Sequence, residues 1–464
     1  MLDTFLSPLV LLPSLGMSNT LPFLGKNDDA NFRPRAGVYD ASLKLQEKLN
    51  ELGIPIGGSQ IQLKTTRSSA RFSSSPHKQL IKRTTHAGTV PLETIELGSR
   101  YGIDVQVDGE TFRLMADTGS SDTWLPSQDL KCFDDKTKEV PQSQCNFTKL
   151  TPPTFSGGQI PDRHLNITYD NGNSYLGTVG YEPVSIAGFN VERQVVAKVN
   201  IAKQPTTSPG GSHGIFGLGF PNTTSVYPGL DPTKDNASYP NPHNSIPYDP
   251  WIISAFKSGV IKKPVFTLVL GPIGGRDGEN AGTLIIGGAA PPSSVSYSGN
   301  VSSAPLRKYG PPYRNYWWDI VPDGMTIGDQ FIPWTEPGAD SEPLAYSVDC
   351  GSDYSYVPQS TMTPWLKTFS TPTLADSRGY TYALCNATFS SVAVRIGGKD
   401  FPFEKSSLLV QPPYGAVDGS PGYCWTGIQP HGSFLGGTFL YGVAATFDMT
   451  QGSEKIVFSS VLSQ

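Results

Sequence analysis

The stretch that decides the fold reads Asp117-Thr-Gly-Ser-Ser-Asp-Thr-Trp-Leu-Pro126, and it follows the apolar run Leu114-Met-Ala116. A second turn, Asp349-Cys-Gly-Ser352, follows Tyr346-Ser-Val348 in the same way. Two carboxylates on matching turns, each entered from a strand, indicate a site between two similar lobes. Held close together, such carboxylates do not both ionise, because like charges disfavour the second ionisation. One then acts as an acid and the other as a base, the combination that hydrolysis by an activated water needs.

The composition is that of a mostly β protein with more than one domain. The 464 residues include 49 Gly and 41 Pro, only 16% are charged, and the mean hydropathy is -0.24. Short runs of Val, Ile, Thr, Tyr and Phe alternate with turn residues, which is typical of strands. A chain of this length exceeds one simple core, so two or three domains are expected. No apolar run is long enough to predict a membrane span.

The two halves of the chain repeat one order of elements. Asp108-Gly109 predicts a hairpin turn before the first Asp turn, and Asp170-Asn-Gly-Asn173 predicts a second hairpin. Gly214-Ile-Phe-Gly-Leu-Gly219 in the first half is echoed by Phe434-Leu-Gly-Gly-Thr438 in the second. Glycine after two apolar residues allows a strand to pack closely against a tight loop. Short helices are predicted near 251–259, with Ile252, Ile253 and Phe256 as the apolar face, and after Pro358.

The N-terminal region reads as a detachable basic segment on an acidic body. Residues 1–89 hold 11 basic and 6 acidic residues, which leaves 24 basic and 34 acidic residues in the remainder. Leu43, Leu45, Leu49 and Leu52 predict one short amphipathic helix, and the dibasic pair Lys82-Arg83 resembles a processing site. This charge asymmetry suggests an electrostatic clasp between segment and body, whereas composition alone favours a disordered basic tail. The acidic body disfavours nucleic-acid binding.

The five cysteines and six sequons favour the secretory pathway. Cys132 and Cys145 lie close enough in sequence for one loop bridge, Cys385 and Cys424 form a second candidate pair, and Cys350 is left over. The sequons begin at Asn146, Asn166, Asn222, Asn236, Asn300 and Asn386. Their number, together with paired cysteines, predicts a secreted or vacuolar glycoprotein. A leader peptide is not clearly predicted, because Pro8 and Pro13 interrupt the apolar stretch near the N-terminus.

From about residue 90 to the end, the chain resembles the pepsin-like aspartic endopeptidases, and among them the secreted or vacuolar fungal members. The resemblance rests on the ten-residue block from Asp117 and on companions in the family's order. These are a tyrosine-bearing flap hairpin, the Gly-Ile-Phe-Gly loop, the second Asp-x-Gly and the Phe-Leu-Gly loop. It implies an all-β fold of two pseudo-twofold-related lobes with a cleft between them. The expected divisions are 1–83 for a leader and prosegment, 84–262 for the first lobe and 263–464 for the second.

The resemblance also implies roles for individual residues. Asp117 and Asp349 would be the catalytic pair, with Ser120 and Ser352 bonded to their outer oxygens and Gly119 and Gly351 in the same turns. Tyr169, with Asp170 and Gly172, would form the flap that closes over a peptide, and Trp124 would bond to Tyr169 from beneath. Thr118 and Cys350 would link the two turns. No metal, cofactor or covalent intermediate is implied, and the expected partners are a protein substrate and the basic prosegment of a monomeric zymogen.

Four positions depart from the family's pattern. Cys350 replaces a Thr or Ser, and a thiol is a weaker hydrogen-bond donor than a hydroxyl. Asp170 follows the flap tyrosine where Gly is usual, and it brings a charge near the cleft. His213 and Gly437 stand where acidic residues are common, which predicts activity at a less acidic pH. Cys350 and the unusual flap leave open a second interpretation, a pepsin-fold protein that binds peptides with little or no catalysis.

Overall fold

The computed structural model describes residues 36–57 and 88–462, apart from 97, 204–211, 237–243, 275, 293–294, 311–314, 335–343 and 412–420. The pair Lys82-Arg83 lies outside the described residues. Ten strands form the first half of the body: β1 (Thr89–Ile95), β2 (Arg100–Val107), β3 (Glu110–Asp117), β4 (Thr123–Phe133), β5 (Glu139–Val140), β6 (Gln159–Thr168), β7 (Ser174–Ile186), β8 (Phe189–Lys203), β9 (Ile215–Gly217) and β10 (Val226–Pro228).

The second half is built from shorter strands and carries two of the four α-helices found among the described residues. Its strands are β11 (Val265–Leu270), β12 (Asn280–Ile286), β13 (Tyr297–Pro305), β14 (Asp319–Ile320), β15 (Gly324–Ile327), β16 (Gln330–Pro333), β17 (Tyr346–Val348), β18 (Ser355–Val357), β19 (Leu374–Ala375), β20 (Thr381–Leu384), β21 (Val392–Ile396), β22 (Lys399–Pro402), β23 (Leu409–Val410), β24 (Tyr423–Thr426), β25 (Ile428–Pro430), β26 (Phe434–Leu435), β27 (Val443–Asp448) and β28 (Lys455–Val461). The helices are α1 (Ala36–Glu51), α2 (Trp251–Lys257), α3 (Gln359–Leu366) and α4 (Gly437–Leu440).

One 15-stranded sheet joins the two halves. Strands β1 to β10 belong to it, and β1 pairs with β12, which continues through β11, β27, β28 and β13. A five-stranded sheet and two four-stranded sheets complete the second half. The mostly β, bilobal prediction is confirmed. A large hydrophobic core runs through both halves and includes Ala116, Val348 and Cys350, so it lies directly beneath both Asp turns.

Both Asp turns sit in the same local arrangement of three strands. In the first half, β3 ends at Asp117 and runs parallel to β9, which is antiparallel to β4. In the second half, β17 leads to Asp349 and runs parallel to β26, which is antiparallel to β18. A Cβ atom on Gly217 would lie 2.3 Å from the carbonyl carbon of Ser121, so β9 packs directly on the backbone that follows Asp117. A Cβ atom on Gly436 would likewise lie 2.1 Å from the Tyr354 carbonyl oxygen, in the backbone that follows Asp349. The predicted echo therefore corresponds to a duplicated structural unit.

The predicted hairpins and helices are present, with two differences. Asp108 and Gly109 both have positive φ, at 50° and 77°, as the predicted turn between β2 and β3 requires. Helix α2 buries Trp251, Ile252 and Ala255, whereas Phe256 is 43% exposed, so the predicted apolar face was wrong by one position. The run Tyr316-Trp-Trp-Asp-Ile320 is rich in strand-forming residues and predicts a strand, but the strand begins only at Asp319.

The cysteines form two bridges in the structure. Cys132 on β4 is bonded to Cys145, and Cys385 beside β20 is bonded to Cys424 on β24. Cys350 is a buried free thiol.

Candidate active site

The two Asp turns meet face to face at the base of a cleft of about 900 Å³. Asp117 and Asp349 are both buried, and their carboxyl groups are within hydrogen-bonding reach of each other. Each turn holds its own carboxylate in the same way. Gly119 N–H donates to Asp117 Oδ1 at 2.8 Å, and Gly351 N–H donates to Asp349 Oδ1 at 2.8 Å.

The outer oxygens of both carboxylates accept hydrogen bonds from serine. Ser120 Oγ donates to Asp117 Oδ2, and Ser352 Oγ donates to Asp349 Oδ2 at 2.8 Å. Burial raises the pKa of Asp117, and the neighbouring charge of Asp349 raises it further. The bonds from Ser120 and Gly119 oppose this shift without cancelling it. Asp117 therefore keeps its proton to a higher pH than an exposed aspartate does.

A cross-link of hydrogen bonds ties the two turns together. Thr118 Oγ1 donates to the carbonyl of Val348 at 2.9 Å and accepts from Cys350 N–H at 2.9 Å. In return, Cys350 Sγ donates to the carbonyl of Ala116 at 3.3 Å. The sequence suggested that Cys350 weakens this link. In the structure the hydrogen bond to the Ala116 carbonyl is present, but its donor is a thiol, which donates more weakly than a hydroxyl does. Burial, and then the charges of Asp117 and Asp349, raise the thiol's pKa, so it is a neutral group.

Replacing Cys350 by Thr should keep or raise activity and should stabilise the fold. A hydroxyl donates more strongly to the Ala116 carbonyl than a thiol does, with an expected gain of about 1 kcal/mol in the free energy of unfolding. Urea unfolding and kcat/KM check this expectation. Cys350→Val is the matched control, since valine has threonine's shape without a donor, and it should be less stable than Cys350→Thr. A large loss of activity in Cys350→Thr would contradict this account of the link.

The turn between β6 and β7 projects over the Asp pair and carries Tyr169. Tyr169 N–H donates to the Asn173 carbonyl at 2.9 Å, and Gly172, with φ of 84°, closes the turn. Trp124 Nε1 donates to Tyr169 Oη at 2.9 Å. The indole of Trp124 also packs on Tyr175, with ring centroids 4.5 Å apart. Tyr169 and Trp124 both line the cleft, and their mutual hydrogen bond fixes the tyrosine ring.

Asp170 places a third carboxylate at the mouth of the cleft. The side chain is exposed, yet the surrounding cleft and the charge of Asp349 raise its pKa. His213, in contrast, does not line the cleft. Its Nδ1 accepts from the backbone N–H of Arg113 at 2.8 Å. Gly437 lies beneath the second turn, where its N–H donates to the Ser352 carbonyl at 2.8 Å.

Sequence reasoning missed most of the cleft's second wall. It is rich in aromatic rings with polar edges: Trp317, Tyr354, Tyr356, Tyr380, Trp425 and Phe434. It also missed the ion pair between Arg100, at the start of β2, and Asp353, directly after the second turn. Arg100 and Asp353 are far apart in the sequence, so no local pattern predicts that they pair. The one available signal was that Asp353 directly follows the second Asp turn.

A further buried carboxylate, Asp122, stands behind the first turn. Its Oδ1 accepts from Tyr248 Oη at 2.8 Å, and its Oδ2 accepts from Ser225 N–H at 2.8 Å. Burial raises the pKa of Asp122 to about 6, although both hydrogen bonds lower it. Since the pKa in the folded state exceeds the ordinary value of 3.8, the folded state binds this proton more tightly than the unfolded state does.

The stability that Asp122 contributes should therefore be complete below about pH 4 and should be lost as the pH rises through about 6. The difference between the folded pKa of about 6 and the ordinary value of 3.8 corresponds to about 3 kcal/mol in the free energy of unfolding. Asp122→Asn does not titrate, and a rotated amide retains partners in Ser225 and Tyr248. We expect the variant to lose less stability than the wild type between about pH 4 and pH 7, as measured by urea unfolding. If the stability of Asp122→Asn depended on pH just as that of the wild type does, Asp122 would not be the source of this pH dependence.

Comparison with known proteins now adds to this geometry. Residues 100–461 match the family model described as eukaryotic aspartyl protease. The chain belongs to this family. It is similar to a protein of Aspergillus fumigatus named "Probable aspartic-type endopeptidase", with 27% identity over 387 residues that cover 81% of each chain. It is also similar to rhizopuspepsin-2 of Rhizopus niveus, with 26% identity over 345 residues that cover 73% of each chain.

The fold has a solved counterpart. The aspartic proteinase from Irpex lacteus aligns with a TM-score of 0.60 at 19% identity, covering 81% of this chain and 98% of its own. With the family match, the protein is an aspartic-type endopeptidase, a hydrolase of peptide bonds. Among the described residues, no helix combines the length and apolarity needed to cross a membrane.

Proposed function

We propose that the protein is an acid-active endopeptidase, made as a zymogen, in which Asp117 and Asp349 activate one water molecule between them. The observation that carries this proposal is the face-to-face pair of buried carboxylates, each held by its own glycine N–H and serine hydroxyl. A single shared proton leaves one carboxylate as a base and one carboxyl as an acid.

The reaction would proceed without a covalent intermediate. The ionised carboxylate takes a proton from the water as its oxygen attacks the peptide carbonyl carbon. The protonated carboxyl donates its proton to the carbonyl oxygen, which gives a neutral tetrahedral diol. The carboxylate that received the water's proton then passes it to the leaving nitrogen, while the other recovers a proton from the diol as the carbonyl re-forms. The C–N bond breaks, and the pair returns to its starting protonation.

An extended peptide fits the cleft. Tyr169 and Asp170 on the flap lie on one side of it, and Tyr354, Tyr356 and Tyr380 lie on the opposite wall. Backbone groups of the flap turn would bind the peptide as an added strand, and the aromatic wall would contact its side chains. A peptide bound in this way would have its scissile carbonyl over the Asp pair.

The direct experiment is digestion of an unfolded protein at about pH 4 after cleavage of the chain near Arg83, with and without pepstatin. The proposal expects cleavage that pepstatin blocks and that Asp117→Asn lacks. Failure to cleave would favour the second interpretation, a peptide-binding protein with the same fold. The intact pair and the retained link through Cys350 support catalysis instead.

The zymogen proposal rests on charge. The segment up to about Arg83 is basic and the remainder is acidic. Basic side chains would pair with carboxylates of the cleft at neutral pH, and protonation of those carboxylates in acid would weaken the clasp.

We therefore expect the uncleaved chain to be inactive at neutral pH, with activity appearing at acidic pH as the segment is cut. Initial rates on a short fluorogenic peptide, followed together with gel analysis of the chain, check this expectation. A variant with Lys82 and Arg83 replaced by Gln should activate more slowly if the dibasic pair is the processing site. Full activity of the uncut wild type at neutral pH would contradict the zymogen proposal.

The bridges and sequons support passage through the secretory pathway to the cell exterior or the vacuole. Asn146, Asn236, Asn300 and Asn386 are exposed and suit glycosylation better than Asn166 and Asn222, which are partly buried. Asn166 also donates to Asp235 at 2.7 Å.

A further inference from the structure

The N-terminal segment 36–57 is built into the body of the protein, away from the cleft. It comprises α1 and the six residues that follow it, and none of them lines the cleft. Leu45 and Leu49 of α1, together with Ile54, are at most 2% exposed. They pack in a separate hydrophobic cluster with residues of β11, β12, β27 and β28.

This cluster covers one face of the sheet that joins the two halves. Side chains on those four strands alternate between the main core and the cluster. For example, Phe266 and Ile286 point to the core, whereas Val265 and Ile285 contact the segment's cluster. Without the segment, an apolar patch would be exposed to solvent. Its members are Val265, Ile285, Ala289, Ala290, Val295, Tyr297, Ala444 and Val457. Contiguous apolar surface of this kind is uncommon on soluble monomers.

Polar contacts fix the segment at its C-terminal end. Lys455 Nζ donates to the Leu52 carbonyl at 2.9 Å, and Lys263 Nζ donates to the Gly53 carbonyl. These carbonyls lie just past the end of α1, where cations complement the helix dipole. The last turn of α1 is closed by its own backbone bonds from residues 52–54, and the body adds two ammonium groups to the carbonyls just beyond it.

The chain after α1 then runs alongside the body's backbone. Ala289 N–H donates to the Pro55 carbonyl at 2.9 Å, and Gly57 N–H donates to the Ala289 carbonyl at 2.6 Å. A Cβ on Gly288 would lie 2.4 Å from the Pro55 carbonyl oxygen, so the two backbones are in direct contact. Such packing is typical of a permanent element of a fold.

We propose that residues 36–57 remain bound to the body after the chain is cut, so that the processed enzyme consists of two non-covalently associated chains. Cleavage near Arg83 would then sever the inhibitory segment without releasing its N-terminal part. The occurrence of this cut rests on the proposed zymogen, whereas the retention itself does not.

Acid should not release the segment. Its described contacts with the body join apolar side chains, backbone groups and the side chains of Lys263 and Lys455, rather than pairs of carboxylates and bases. The charged side chains of α1, Lys44, Glu47, Lys48 and Glu51, are exposed to solvent, whereas Lys263, Lys455 and Asp448 on the body lie beside the segment. Asp448 Oδ2 lies 3.6 Å from Lys455 Nζ, the ammonium group that donates to the Leu52 carbonyl of the segment.

The test uses the full chain in an Asp117→Asn background, which prevents self-digestion, with a site-specific protease sequence inserted after Lys78. After complete cleavage, gel filtration at pH 7 and at pH 4 separates bound from released fragments. The proposal expects the N-terminal fragment to co-elute with the body in equal amounts at both pH values. Its elution as a free peptide would overturn the proposal, while the protease activity of the wild type would be unaffected by that result.

Matched variants locate the interaction. Leu49→Ala should speed release of the cut fragment at least tenfold, and Lys455→Met should also speed release. Leu43→Ala, on the 45% exposed side of the same helix, should leave release unchanged. Both leucine variants keep the helix, so folding of the uncut chain provides the reference. Equal release rates for Leu49→Ala and Leu43→Ala would contradict the proposed interface.

Discussion

Asp117→Asn and Asp349→Asn should each lower kcat/KM by at least about 1,000-fold. Asparagine has the size and shape of aspartate, but its amide neither accepts the water's proton nor donates one to the carbonyl oxygen. Since both steps belong to one proton cycle, losing either partner stops the reaction. The measurement is kcat/KM of the processed enzyme on a peptide substrate at about pH 4.

The control for this prediction is Asp170→Asn, which removes the third carboxylate of the cleft. Asp170 lies on the flap and has no place in the proton cycle, so its variant should stay within about tenfold of the wild type. Melting temperatures of all three variants establish that the losses are chemical. Either active-site variant retaining a rate near that of Asp170→Asn would show that the pair is not the catalytic centre.

Gly351→Ala should lower kcat/KM by at least about 100-fold while the protein stays folded. The added methyl would lie 2.3 Å from Asp117 Oδ1 and 3.1 Å from Asp349 Oδ1, so the two carboxyls must move apart. A displacement of about 1 Å in a catalytic group costs a factor of this size. The carboxyl side chains yield more easily than backbone would, so the unfolding free energy should fall by only about 1–3 kcal/mol.

Two other glycines test this explanation. Gly119→Ala places its methyl 2.7 Å from Asp349 Oδ1 and should reproduce the loss of activity. Gly109→Ala, in the β2–β3 turn, meets no atom within 4 Å and should cost stability alone, because its φ of 77° disfavours alanine. Normal kcat/KM in Gly351→Ala would mean that the carboxyls do not need their present spacing.

The site's first elements were predictable because they are local in sequence. A glycine N–H and a serine hydroxyl within three residues of each Asp bond to its carboxylate, so the motif carries its own geometry. The hairpins follow similarly from their turn residues. The duplicated order of elements then indicated two lobes and a site between them.

Long-range partners were not predictable in this way. Tyr248 is 126 residues from Asp122, and no local pattern connects the hydroxyl to the buried carboxylate. The helix with Leu45 and Leu49 was predicted from its periodicity, but periodicity does not name the surface that an apolar face covers. The basic charge of the N-terminal segment led to the prediction that all of it binds in the cleft. In the structure, residues 36–57 instead pack on the sheet that joins the two halves.

The central claim is that Asp117 and Asp349 share one proton during catalysis, and the pH dependence of kcat/KM tests it most directly. Initial rates of the processed enzyme, on a peptide without titrating side chains, should be measured between about pH 2 and pH 8. The account predicts a bell-shaped profile, because a second proton removes the base in strong acid and loss of the shared proton removes the acid at higher pH. A rate that rises to a plateau extending to pH 8 would contradict the claim, since it would require no protonated carboxyl.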